Sequence, residues 1–178
     1  MAKNAVYGIK SVKFADVVAG GFPTTWTGFD LKAIVRDSLT MNDSAPSDNN
    51  IEVEDMDDYY AVLRSDNGSK GFTIQTYDLS AEAYKFFLGY NTATSGGWNE
   101  ETPQFELGNK AIQIITRTWG DIPSKTFEWA NMKLKVTTSG TIGKGGFPNL
   151  NIECVNLAHV DNNGAEVCGA RWKVTPES

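Results

Sequence analysis

The sequence predicts a mainly β protein, a β-sandwich or barrel of antiparallel strands with one short flanking α-helix. Three observations carry this. Apolar and polar residues alternate with period two along much of the chain, turn-forming clusters separate the alternating stretches, and one segment has the spacing and caps of a helix. With 178 residues, 40% apolar and 21% charged, the chain can close one hydrophobic core, and residues 1–178 read as a single domain.

Alternation places strands at Leu31, Ala33 and Val35 against Lys32 and Arg36, and at Ile51 and Val53 against Glu52 and Glu54. It recurs through Phe72, Ile74 and Thr76, Ile112 and Ile114, Met132, Leu134 and Val136, and Leu150, Ile152 and Cys154, for roughly eight strands. Turns fall at 66–69, 139–140, 143–146 and 161–164, where Asp161-Asn162-Asn163-Gly164 is the clearest hairpin signal. Pairing Val160 with Ala165 across that turn sets Cys154 opposite Arg171. Cys168 is then about 10 Å away, beyond the reach of a disulfide, so both thiols are expected to be free.

The helix is read in DLSAEAYKFFLGY, residues 78–90. Ser80 is its expected N-cap, Leu79 can staple onto Tyr84, and Gly89 ends it. Two irregular stretches remain, a polar loop over 39–50 and a Gly/Thr-rich loop over 90–103, and both are candidate contact loops.

Charge and chemistry narrow the function. A net charge of −6 with scattered Lys and Arg does not suit a surface that grips nucleic acid. No apolar stretch has the length of a secretion signal or a membrane span, so a cytoplasmic chain without a membrane partner is expected. His159 is the only histidine, with no second one to share a metal or assist a nucleophile, and reads as structural. GTIGKGG resembles a phosphate loop but has Thr138 in place of the first glycine and Gly145 in place of the hydroxyl. The acidic run Glu54, Asp55, Asp57 and Asp58 fails the calcium-loop pattern, because Tyr59 stands where a ligand is needed and no glycine follows. No catalytic residue, metal site or cofactor is assigned, and the chain is not expected to be an enzyme.

The order of segments carries a resemblance. LKAIVRDS, a polar loop, the acidic NIEVEDMDDYYA, then FTIQTYDLSAEAYKFFLG, KAIQIITRT, MKLKVTTSG and NLNIECV follow one another from about residue 30 to residue 155. In this order the chain resembles the major tail tube proteins of long-tailed, siphovirus-like bacteriophages. The most specific stretch is the strand running through Asp78-Leu79-Ser80 into a short helix ending Leu88-Gly89.

The resemblance implies a structural virion protein, assembled in the bacterial cytoplasm, whose hexameric rings stack into a hollow tail tube. Its partners would be further copies of itself and tail proteins such as the tape measure and the tail terminator, with DNA passing through unbound. Glu52 and Glu54 are then expected to face the lumen, where an acidic wall repels phosphates. The 39–50 loop is expected to stack on the neighbouring ring through Leu39, Met41, Asn42, Asp43, Pro46, Asp48 and Asn49. Two alternatives stand beside this reading. One is a tube protein of a contractile tail or secretion device. The other is a carbohydrate-binding β-sandwich that uses some of the tryptophans Trp26, Trp98, Trp119, Trp129 and Trp172 as a platform.

Overall fold

A computed structural model describes residues 6–52, 54, 57–58, 61–66, 69–92, 98–99, 105–144 and 146–174. The first half contains β1 (Ile9–Asp16), β2 (Phe29–Leu31), β3 (Thr40–Met41), β4 (Ser47–Ile51), β5 (Ala61–Asp66), β6 (Gly71–Thr76), α1 (Ala81–Leu88), β7 (Asn91–Thr92) and β8 (Trp98–Asn99). The second half contains β9 (Lys110–Thr116), β10 (Lys125–Ser139), β11 (Asn149–Asn156), β12 (His159–Val160), β13 (Glu166–Val167) and β14 (Ala170–Val174). The protein is mainly β, antiparallel throughout, with one helix among the described residues.

One sheet forms the body, in the order β2-β1-β9-β10-β11-β6-β3, with β14 added to β10. Its two ends are joined by a single segment. Residues 29–31 pair with β1, while Ile34 bridges to Thr76 and Thr40–Met41 pair with β6. The sheet therefore closes on itself as a barrel. Alternation predicts one continuous strand over 31–38; instead Ala33 (φ 48°) and Asp37 (φ 57°) take left-handed backbone, which ends β2 at Leu31. The break turns the chain from one edge of the sheet to the other. Val35 N–H donates to Gln75 O, Tyr77 N–H donates to Ala33 O, and Ser38 and Thr76 add side-chain bonds across the seam.

The interior follows the alternation of β1, β6, β9 and β11. Val12, Phe14, Phe72, Ile74, Ile112, Leu150 and Ile152 are fully buried together with Met132 of β10. β10 changes phase at Ala130 and Asn131, so that Phe127 and Trp129 before the bulge and Met132, Leu134 and Val136 after it face the same core. The helix forms where its caps predict. Ser80 Oγ accepts the N–H of Ala83 at 3.2 Å, and Gly89 (φ 71°) returns its N–H to Lys85 and Tyr84. It buries Ala83 and Phe87 in the core, with Phe86 stacked on Phe29 at 4.9 Å and Phe87 edge-on to Phe14 at 5.3 Å.

Three further expectations are corrected. The 39–50 segment is not a structureless loop: it contains β3 and β4, and Leu39 packs against the barrel core. β4 does not have one buried face either; Ser47 to Asn50 are all exposed and only Ile51 is half-buried. Val53, the second residue of the expected alternation, lies outside the described residues. Finally, the 161–164 turn closes with His159 opposite Val167 and Val160 opposite Glu166, one residue off the expected register. β14 then pairs with β10, so Arg171 faces Glu128 and Cys154 sits between Leu134 and Phe72. Cys154 is buried, Cys168 is exposed, and both are free. The 90–103 loop lies largely outside the described residues; Asn91–Thr92 and Trp98–Asn99 pair as a small ribbon.

Candidate assembly surfaces

The most distinctive feature grows out of the β3–β6 pair. Beyond Met41 the two chains stay together: Asn42 N–H donates to Gly71 O, Ser44 N–H to Ser69 O, and Gly71 N–H to the Asp43 carboxylate. Ser47 then lies opposite Asp66, Asp48 opposite Arg64, Asn49 opposite Leu63 and Ile51 opposite Ala61. The result is a hairpin arm. From Met41 to Ile51 it spans about 33 Å at the rise of an extended strand.

Among the described residues β4 and β5 pair only with each other. Consecutive residues point to opposite faces of a strand, and Asp48, Asn49 and Asn50 are all exposed, so neither face of the arm rests on the barrel. Val62 (55% exposed) and Leu63 (56%) also stand in solvent on opposite faces. A two-stranded ribbon alone is marginal in water, and this one exposes aliphatic residues on both faces.

The residues expected to stack between rings are thus divided. Met41, Asn42, Asp43, Pro46, Asp48 and Asn49 lie exposed along the arm, with Asn42 Nδ2 donating to Thr73 Oγ1 and Asp43 accepting from Gly71. Leu39 belongs to the barrel. Glu52 and Glu54 are exposed past the end of β4, beside Asp57 and Asp58. They sit at the far end of the arm rather than on a barrel wall. Val62 and Leu63 were missed because the strand that carries them has no polar partner face to make it alternate. A second exposed apolar tip closes the β10–β11 hairpin, where Ile142 is 91% and Phe147 78% exposed.

A cleft of about 1030 Å³ opens on the barrel between residues 6–9, 34–41 and 114–118, with Phe127 and Trp129 in its wall. Its lining is mostly apolar, and the guanidiniums of Arg36 and Arg117 stand at its border.

The opposite face of β9, β10 and β14 carries a polar row. Lys13, Gln113, Glu128 and Arg171 are in register across four strands. Glu128 is 1% exposed; Gln113 Nε2 donates to it at 2.8 Å, Arg171 Nε at 2.6 Å, and Lys173 Nζ lies 3.3 Å away. Burial would raise its carboxyl, but these three donors prevail and hold it below the ordinary carboxylate value. The segment after β1 is tied to this side of the barrel. Arg171 lies over the Phe22 ring at 4.0 Å, Gly20 N–H donates to Val160 O, and His159, 2% exposed, donates from Nε2 to Gly21 O at 3.0 Å. His159 is a structural tie, as its isolation in the sequence suggested.

Among the described residues no three His, Cys, Asp or Glu side chains converge to hold a metal ion; Asp55 lies outside them. Trp119 and Trp172 are exposed on separate elements, the first stacked on Tyr7 and the second under the Lys125 ammonium. No helix of the described residues is long and apolar enough to cross a membrane. No protein-family model and no curated protein matches this chain.

Proposed function

We propose that this chain is a self-assembling structural protein of the tail tube kind, forming rings that stack into a hollow conduit. The observation that carries the reading is the arm: a hairpin in which residues 42–50 are all exposed and the aliphatic Val62 and Leu63 stand in solvent on opposite faces. Such an element contributes to stability only when a second copy covers it. The helix-flanked barrel and the order of segments along the sequence support the same reading.

On this reading the partners are further copies in hexameric rings, the tape measure and tail terminator proteins, and DNA that passes without being held. The chain would lie in the virion tail. Met41, Asn42, Asp43, Pro46, Asp48 and Asn49 act through the arm, and the formal charge of −6, repeated around a ring, keeps phosphates off the bore. A carbohydrate platform is less well supported, since among the described side chains the exposed Trp119 and Trp172 share no surface element and each has a ring contact within the chain. Sedimentation velocity and negative-stain microscopy of concentrated protein test the proposal. Rings or tubes are expected, and a chain that stays monomeric at every concentration would overturn it.

A further inference from the structure

We propose that residues 17–28 are a releasable cover on the outer face of the barrel, latched by Arg171, and that Glu128 sets how firmly the latch holds. The cover is a property of the single chain and does not depend on assembly.

β1 and β2 pair with each other, Phe14 opposite Phe29, so residues 17–28 join two neighbouring antiparallel strands. Such a connection needs only about two to five residues, and one this long is unusual without a function of its own. Its return is fixed at the root, where Gly28 N–H donates to Phe14 O at 3.0 Å and the approach leaves no room for a side chain. The ties of its middle run instead to the C-terminal part of the chain. Gly20 N–H donates to Val160 O, His159 Nε2 donates to Gly21 O, and the Arg171 guanidinium lies over the Phe22 ring.

The surface on this side is a covered one. Ala15, Ala111 and Gln113 alternate with the core residues Phe14 and Ile112 and so point away from the core, yet all three are buried. Glu128 stands on the same face, opposite Gln113, and Pro23 of the cover is buried as well. The cover itself is thinly anchored. Val18, Ala19, Gly20, Thr24 and Thr25 are exposed, which leaves little apolar area to resist a local opening.

Arg171 links the two layers. Its Nε donates to Glu128 Oε2 at 2.6 Å, and the guanidinium is 4.0 Å from the centre of the Phe22 ring. A cation over a ring at a half-exposed site is a weak contact, and a long arginine side chain loses rotamer freedom to make it. The buried carboxylate removes that cost, because its charge-assisted bond fixes the guanidinium beforehand. Without the carboxylate's charge, Arg171 and Lys173 repel each other, Arg171 swings into solvent, and Phe22 loses its partner. The bonds at Gly20 and Gly21 then hold the middle of the cover.

Hydrogen exchange of the full-length protein, read by NMR at the Gly20 amide, tests the latch. In the wild type this amide should be protected and its exchange unchanged by dilute urea, the mark of a local opening rather than of unfolding. Phe22→Ala and Glu128→Gln should each speed it about tenfold, and the double variant no more than about tenfold, because both act through one guanidinium. Lys173→Gln keeps Arg171 on Glu128 and should leave Gly20 as it is. Arg171→Gln, at an exposed position, should match Phe22→Ala, and it carries the test if Glu128→Gln does not fold. The latch is wrong if Gly20 exchanges only with global unfolding, or if Arg171→Gln leaves it unchanged. It is equally wrong if the two single effects multiply, or if Lys173→Gln opens the cover as far as Arg171→Gln does.

Discussion

Ile152 and Leu63 are both aliphatic residues on antiparallel strands of one chain, yet the first is sealed from solvent and the second is 56% exposed. Ile152 lies between Val136 and Ile74, with a helix and a closed sheet around it. Leu63 has one strand beside it and water on its face. The difference teaches where each region obtains its free energy. The barrel removes its apolar area from water by itself, whereas the arm can do so only against another molecule. Fold stability and assembly should therefore be separable by mutation.

The barrel side of this comparison breaks most severely at Phe14. It is fully buried against Phe87, and Phe14→Ala should cost about 3–5 kcal/mol by urea titration. A loss under about 1 kcal/mol would mean that the barrel does not close around this ring. Next comes Glu128→Gln, which leaves Arg171 and Lys173 without their buried carboxylate and should cost about 1–3 kcal/mol at neutral pH. The folded carboxyl is held below its ordinary value of 4.5. Its stabilisation is therefore complete above that value and disappears as pH falls through the folded one. Urea titrations across an acid series should show the gap between wild type and Glu128→Gln closing; a gap of constant size would show that the charge is not its source.

Smaller effects sharpen the contrast. Ser80→Ala removes the bond to Ala83 N–H and should cost about 1 kcal/mol, leaving assembly of the folded fraction intact. Replacing residues 45–68 by a short Gly-Ser turn should change barrel stability by under about 1 kcal/mol, because loop closure depends weakly on length. The same protein should form no tubes in the electron microscope, and full-length tubes from it would place the contacts elsewhere. Glu52→Lys with Glu54→Lys separates two roles for the arm's end. Lost assembly assigns these residues to a contact, whereas normal tubes that deliver DNA slowly assign them to the bore. The least perturbing test is thiol labelling: Cys168 should react in the native protein, and Cys154, whose thiol burial pushes up, only after denaturation.

Legibility in the sequence followed burial. The helix, with Ser80 and Gly89 at its ends, and β6, β9 and β11 were readable because one face of each meets the core and imposes a period. The arm was read as a loop for the converse reason: solvent on both faces imposes no period on residues 42–50. The break in 31–38 was hidden because Ala33 and Asp37 take positive φ without a glycine to announce it. In β10 the shift was visible in principle, since Trp129 and Met132 are three apart where strand partners on one face should be two or four. Glu128 stands between Phe127 and Trp129, where alternation alone would place a solvent-facing residue. Only the pairing with β14, which no local signal specifies, shows it to be buried.

The pairing of β1 with β9 joins Ile9 to Thr116, across most of the first two-thirds of the chain. During synthesis, residues 9–16 leave the ribosome long before residues 110–116, so β1 can pair only with the three residues of β2 until then. The arm, between Asn42 and Lys70, is local and can form early, while Phe127 and Trp129 of β10 are made after it. A nascent chain can thus present the hairpin before the sheet it grows from has closed.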